Sequence, residues 1–134
     1  MGAEENLKTV QMIYEAFSRG DIAAVLEPLT DDVDFAVEPN GPAPWHGLRR
    51  GKEEVGQFFQ ALAENVEITE FTPLAFAASD TDVMVVIRYA ERSRATGKSG
   101  DMDLHHWWRF RDGKIWFVRG TEDTLLTSQL LAAV

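Results

Sequence analysis

Residues 100–123 read GDMDLHHWWRFRDGKIWFVRGTED. Strand-forming aromatic and β-branched residues run on both sides of Asp112-Gly113, a dipeptide that favours the tight turn matching strand twist. The stretch therefore reads as a long antiparallel hairpin whose inner face walls a pocket. With Asp112 and Gly113 as the loop, Arg111 faces Lys114. One face then carries the pairs Phe110/Ile115, Trp108/Phe117, His106/Arg119, Leu104/Thr121 and Met102/Asp123. The opposite face carries Arg109/Trp116, Trp107/Val118, His105/Gly120 and Asp103/Glu122. The first face is the more apolar near the turn, which makes it the inner one. Farther from the turn it becomes polar at His106, Arg119 and Asp123. An apolar wall with a few convergent ionisable groups is how a small-molecule pocket is built. The register has one sensitive joint: a one-residue slip, or a single bulge, swaps the faces of a strand.

Upstream of the hairpin, Val83 to Arg94 is dense in strand formers, and Val66 to Ala78 reads as a strand kinked near Pro73. Thr96-Gly97-Lys98 turns the chain into the hairpin. Val33 to Val37 is a short strand with Phe35 and Val37 on one face. Three helices precede or interleave these strands. The first places Leu7, Val10, Ile13, Tyr14 and Phe17 on one stripe and ends at Gly20. The second is capped by Asp21 and carries Ile22, Val25, Leu26 and Leu29. The third carries Val55, Phe58, Phe59 and Leu62. Between strand and third helix, EPNGPAPWHGLRRG (38–51) is loop by composition, with Trp45 and His46 inside it. Leu125 to Val134 is a short closing helix or a tail packed on the sheet.

Helices first and strands last imply an α+β fold: a curved antiparallel sheet closed into a cone by three helices of the N-terminal half, a cystatin-like roll. A chain of 134 residues fits one domain, 1–134, with a real core. The net charge of −9 argues against nucleic acid as a partner, because phosphate binding needs a basic footprint. The absence of cysteine excludes a disulfide framework, a thiolate metal site and a thiol nucleophile. MGAEENLK lacks the apolar run of a signal peptide, and no segment is long and apolar enough to cross a bilayer. A cytoplasmic protein without a membrane partner is expected.

Several spaced motifs together resemble a known family. YEAFSRGD, then LTDDVDF, then a WHG loop before the third helix, then FRDGKI and a terminal aspartate look like the nuclear transport factor 2-like superfamily. Within it the chain is similar to the SnoaL-like group, akin to ketosteroid isomerases, polyketide cyclases and limonene epoxide hydrolases. The resemblance spans the chain. It implies the cone fold and a choice among enzymes, binders and scaffolds. Asp123, eight residues after Ile115, resembles in its placement the acid/base aspartate of the cyclases and an aspartate of the epoxide hydrolases. His106 lies where the isomerases have a polar pocket residue, an aspartic acid. For the isomerase base on the first strand the nearest residues are Asp34 and Glu38. The isomerase tyrosine on the first helix matches Ile13 better than Tyr14. Arg88-Tyr89-Ala90 stands where the epoxide hydrolases have Arg-x-Asp. These departures argue against either specific activity.

Asp123, among Met102, Phe117 and a closing helix, would be partly desolvated, with a pKa raised toward general acid/base work; alternatively it caps the helix that starts at Thr124. His106 would face Arg119 and Tyr89, and a neighbouring cation would keep its imidazole neutral. Arg119 either holds an anionic group of a substrate or pairs with an acid such as Glu91. Trp45, Phe35, Tyr89, Trp108 and Phe117 are the expected walls. His105 and His106 point to opposite faces, so no metal site is expected, and no glycine-rich phosphate loop or other cofactor motif is present. The expected activity is cofactor-independent proton transfer on a small hydrophobic molecule, by isomerisation, cyclisation or hydration. Asp123 would move the proton and His106 assist. The alternatives are a non-catalytic binder of a small apolar ligand and a dimeric interaction module. A homodimer through the outer sheet face is expected from Trp107, Trp116 and Val118.

Overall fold

The structure is a computed structural model that describes residues 2–133. Helix α1 (Ala3–Ser18) turns Val10, Ile13, Tyr14 and Ala16 inward. Gly20 takes a left-handed φ of 73° just beyond its end, and Asp21 caps α2 (Ile22–Leu26) by accepting a hydrogen bond from the Ala24 amide at 3.1 Å. The second helix is shorter than its apolar spacing suggested. Pro28 intervenes, and Leu29 opens strand β1 (Leu29–Val37) instead. Strand β2 (Gly47–Arg50), inside the segment expected to be loop, leads into α3 (Gly51–Asn65), which buries Val55, Phe58 and Leu62.

Four long strands follow: β3 (Val66–Ala78), β4 (Asp82–Ser93), β5 (Ser99–Arg111) and β6 (Lys114–Thr121). Helix α4 (Thr124–Leu131) closes the chain. The strands form one curved, unclosed sheet in the order β2-β1-β6-β5-β4-β3. The helices enclose its concave face, so the α+β cone stands. Its sheet is mixed rather than wholly antiparallel, because β1 runs parallel to β6. A parallel neighbour needs a long crossover, and everything from β2 to β5 supplies it. On the edge strand β3 the ladder shifts register between Pro73 and Ala75, where the kink was expected. No helix among the described residues is long and apolar enough to cross a membrane.

The hairpin forms on its expected turn. Asp112 (φ 51°) and Gly113 (φ 77°) both take the left-handed backbone that a two-residue loop of this kind needs. Arg111 faces Lys114 and Phe110 faces Ile115. The register then departs from expectation. Arg109 pairs with Phe117, so Trp116 is the extra residue of a bulge. Beyond it Trp108 faces Val118, Trp107 faces Arg119 and His106 faces Gly120. Strand β5 keeps its expected inner face, with Met102, Leu104, Trp108 and Phe110 buried, whereas β6 is inverted past the bulge.

Electrostatics explains the bulge. A straight register would point the Arg119 guanidinium into an apolar cone, a heavy desolvation penalty. The bulge turns Arg119 outward, 3.0 Å from the Asp34 carboxylate on β1 and 4.2 Å from the Phe117 ring centroid. It also brings Gly120 to the narrow part of the cone. A Cβ there would stand 3.1 Å from Val37 and 3.3 Å from the His106 ring, so the missing side chain makes room for the imidazole.

Candidate active site

The cone encloses a cavity lined by apolar side chains from every layer, among them Phe35, Phe58, Phe71, Leu104, Trp108 and Val118. Its volume is about 80 Å³. That is room for on the order of half a dozen waters, or for a slender ligand that displaces them. Two polar poles interrupt the apolar wall.

The first pole joins α1 to β5. The Trp108 indole Nε1–H donates to the Tyr14 hydroxyl oxygen at 3.0 Å, and that hydroxyl lies 2.7 Å from His106 Nδ1. An indole N–H can only donate, so the tyrosine oxygen is the acceptor there; we assign its own proton to His106 Nδ1, the tautomer in which the hydroxyl both accepts and donates. The ring proton of His106 then sits on Nε2. Burial lowers the His106 pKa to about 4, with the adjacent His105 adding a smaller push the same way. The imidazole is therefore neutral at pH 7 and carries one N–H donor. Burial holds the Tyr14 phenol well above its ordinary pKa, partly offset by the Trp108 hydrogen bond.

The second pole is the carboxylate of Glu122, just beyond β6. Its side chain is 6% exposed. Trp45 Nε1 donates to Oε2 at 3.1 Å, His46 Nε2 donates to Oε1 at 2.5 Å, and the Thr127 hydroxyl of α4 stands 3.5 Å from Oε1. The direction of the histidine bond is fixed from behind. The Ala43 amide donates to His46 Nδ1 at 2.9 Å, so the proton must be on Nε2 and the ring is neutral. The 38–46 loop is shaped to hold this pair. Glu38 takes a φ of 47°, and its carboxylate accepts the Glu122 amide at 2.6 Å. Gly41 packs so closely that a Cβ would stand 2.2 Å from His46 Nδ1.

The two poles share one face of the hairpin. Gly120 is the cross-strand partner of His106, and Glu122 lies two residues farther along, about 7 Å by strand rise. A small ligand between them would meet an N–H donor at one point and a carboxylate acceptor at the other. Among the described residues no three potential ligands converge on a metal position.

A profile of the SnoaL-like domain matches residues 10–118. The chain belongs to the SnoaL-like family. Solved structures agree. This SnoaL-like chain is 29% identical to a nuclear transport factor 2-like protein of unknown function from Burkholderia pseudomallei K96243, with a TM-score of 0.88 over 96% of this chain and 98% of that one. It is 28% identical to another from Burkholderia thailandensis E264, with a TM-score of 0.88 over 98% and 99% of the two chains. A proposed polyketide cyclase from Xanthomonas campestris pv. campestris shares the fold at 21% identity and a TM-score of 0.78, over 97% and 98% of the two chains. Among curated proteins no match is found.

Of the residues singled out in the SnoaL-like sequence, Phe35, Tyr89, Trp108 and His106 line the cavity. His106 faces Gly120 rather than Arg119, and Tyr89 pairs with Met102, so burial, with a smaller push from His105, and not Arg119 keeps the imidazole neutral. Asp123, Phe117 and Arg119 are corrected. The bulge at Trp116 carries Phe117 and Arg119 to the outer face. Asp123 is exposed and caps α4, accepting the Leu126 amide at 3.0 Å. Trp45 is fully buried but stands behind Glu122 rather than against the cavity. Asp34 is on the outer face with Arg119, and Glu38 serves the Glu122 backbone. Asp103 pairs with Arg88 instead of facing Glu122.

Sequence reasoning missed Glu122, His46 and Tyr14. Tyr14, not Ile13, supplies the hydroxyl on α1 that reaches the pocket. For Glu122 a signal was present. A tryptophan and a histidine, side by side in a proline- and glycine-rich loop, are too large and apolar for a purely solvated segment.

Proposed function

We propose that this SnoaL-like chain is a cofactor-independent acid/base enzyme acting on a small, largely apolar molecule held in the cone. Glu122 is the proton-accepting base, and the His106 Nε2–H is the donor that polarises an oxygen of the ligand. The observation that carries this is the Glu122 carboxylate: nearly buried, fixed by the Trp45 and His46 N–H groups, and open to the cavity. A carboxylate oriented in this way abstracts a proton without first reorganising its surroundings. A neutral donor about one ligand-width away stabilises the charge that develops on a carbonyl oxygen when a neighbouring C–H is lost. The kinship to a proposed polyketide cyclase fits this class of chemistry, though at 21% identity it speaks for the fold alone.

The test is a screen of small enolisable ketones and hydroxyaromatics, followed by Glu122→Gln on any compound turned over. Glutamine keeps the shape and the Trp45 contact but removes the base and sets its NH2 against the His46 N–H, so kcat should fall by about 10²–10⁴ in a variant that still folds and loses about 1–3 kcal/mol of stability. An unimpaired variant would rule Glu122 out as the base. A second reading, a non-catalytic binder of a small apolar ligand, draws support from the placement of Asp123 outside the cavity. It gains if ligands raise the melting temperature of the wild type and none is converted.

A further inference from the structure

Glu91 has no part in the chemistry above. It lies on the inner face of β4, two residues beyond Tyr89, and is 1% exposed. Neither of its carboxyl oxygens has a hydrogen-bond partner among the described residues. Gly100, its partner on β5, would carry a Cβ 3.2 Å from Leu126 and 3.3 Å from Leu130, so α4 covers this end of the sheet. The groups that act on Glu91 are the Tyr89 hydroxyl from its own strand, Glu122 from beyond β6 and His46 from the 38–46 loop; no lysine or arginine is among them. Helix α4 contributes no charged residue. On β5, Asp101 turns outward to Arg88 at 2.9 Å, and on β3 Glu67 and Glu70 are exposed.

A buried carboxylate without a cation is expensive, and protonation removes the penalty. Burial does most to raise the Glu91 pKa; the Tyr89 hydroxyl opposes it and the Glu122 charge adds to it. Two carboxyl groups, Glu122 at the cavity wall and Glu91 behind it, thus sit in different environments. Glu122 has N–H donors aimed at both oxygens, whereas neither oxygen of Glu91 has a hydrogen-bond partner among the described residues. Environments that differ in this way divide acid from base. Between Glu91 and the ligand space stands Tyr89, whose ring lines the cavity.

We propose that Glu91 is a proton reservoir behind Tyr89, coupled to Glu122, so that the cavity takes one proton from its ligand and returns another. It rests on the acid/base reading and narrows it. Glu122 removes a proton from a carbon, and the C–H electron pair passes into the conjugated system of the ligand. Burial, and then the neighbouring Glu91, holds the Tyr89 phenol well above its ordinary pKa, so it gives its hydroxyl proton to a second position of the ligand only as Glu91 gives its own proton to the Tyr89 oxygen, and no phenolate forms. Glu91 ends as carboxylate and Glu122 as acid, and water restores the resting arrangement. The ligand has gained and lost one proton, which suits an isomerisation or an aldol-type ring closure and not the addition of water. Each proton taken up by Glu122 removes a negative neighbour of Glu91 and so makes its release easier.

Infrared spectroscopy reads the resting state directly. The wild type at pH 7 should show a protonated-carboxyl band that Glu91→Gln removes, and Glu122→Gln should move the loss of that band to lower pH. A missing band, or one unmoved by Glu122→Gln, overturns the inference. On a substrate whose turnover depends on Glu122, Glu91→Gln and Tyr89→Phe should each lower kcat by about a hundredfold, with KM little changed. If both variants turn over normally, the reservoir falls and the base at Glu122 stands. If the band behaves as expected but no Glu122-dependent turnover exists, the acid/base reading falls, and the proton return falls with it.

Discussion

The two faces of the β5–β6 hairpin carry similar residues to opposite ends. Inside, Trp108, His106 and Tyr14 form a chain of neutral hydrogen bonds in an apolar wall. Outside, Trp107, Trp116 and Phe117 alternate with arginines. Arg109 lies 5.0 Å from the Trp107 ring centroid and 5.2 Å from that of Trp116, Arg111 lies 4.5 Å from Trp116, and Asp82 receives both the Trp107 N–H at 2.8 Å and Arg109 at 3.1 Å. Aromatic density therefore does not mark the pocket. The partners do: arginine and acid pairs stay where water can share their charge, and a donor that enters the cone must be neutral. The difference yields tests of graded size.

The largest effect should come from acid. The folded state lowers the His106 pKa from 6.5 to about 4. Below pH 6.5 the unfolded chain binds a proton that the folded chain refuses, so stability falls as pH drops through that window. The full shift corresponds to about 3 kcal/mol. Urea melts at pH 7 and at pH 4 should show the wild type losing more stability than His106→Gln, which can still accept from Tyr14. Equal losses would mean that the imidazole is not held neutral by burial.

Next in size is Gly41→Ala. The added methyl collides with the His46 ring and should cost about 2 kcal/mol, as overpacking of a filled interior does. It should also lower Glu122-dependent turnover, because His46 loses its place. Denaturant melts and kinetics on the same preparation check both. The outer face should answer differently. Arg109→Gln removes its contacts with Trp107, Trp116 and Asp82 for roughly 1 kcal/mol and should leave ligand binding in the cone untouched. We propose that this face, with Phe117 in the place expected for the inward-facing Val118, is where two copies of the chain pair. Trp116→Glu should then convert a dimer to a monomer in sedimentation; a wild type that is monomeric at tens of micromolar, roughly where a standard interface holds, contradicts it.

Much of the fold was legible because its signals are local. The Asp112-Gly113 turn, the Gly20 stop, the Asp21 cap and the apolar stripes of α1 and α3 each need only a few neighbouring residues. The parallel pairing of β1 with β6 and the bulge at Trp116 were not legible. Both depend on what lies across the sheet: Asp34, which draws Arg119 outward, is 85 positions away in sequence. The site was readable to the same extent. Strand alternation placed His106 and Trp108 inward on β5. It failed on β6, where one bulged residue exchanged the roles of Glu122 and Asp123. The support for Glu122 comes from residues 77 and 76 positions earlier, which no local pattern connects.

The smallest expected effect is also the one that separates these two neighbours. Asp123 and Glu122 are adjacent acids at the start of α4, and only one turns into the cone. Asp123 accepts the Leu126 amide at 3.0 Å, so its work is to satisfy a helix N-terminus. Asparagine caps almost as well as aspartate, so Asp123→Asn should change stability by only a few tenths of a kcal/mol, and Asp123→Ala by about 1 kcal/mol. Neither should alter kcat on a substrate that Glu122→Gln abolishes. A residue that closes the helix over the cavity but does not face the ligand affects the melting temperature and leaves the pH–rate profile where it was. If Asp123→Asn instead removes activity while the melting temperature holds, the proton is moved from the outer side of the bulge, and the assignment of Glu122 as base fails.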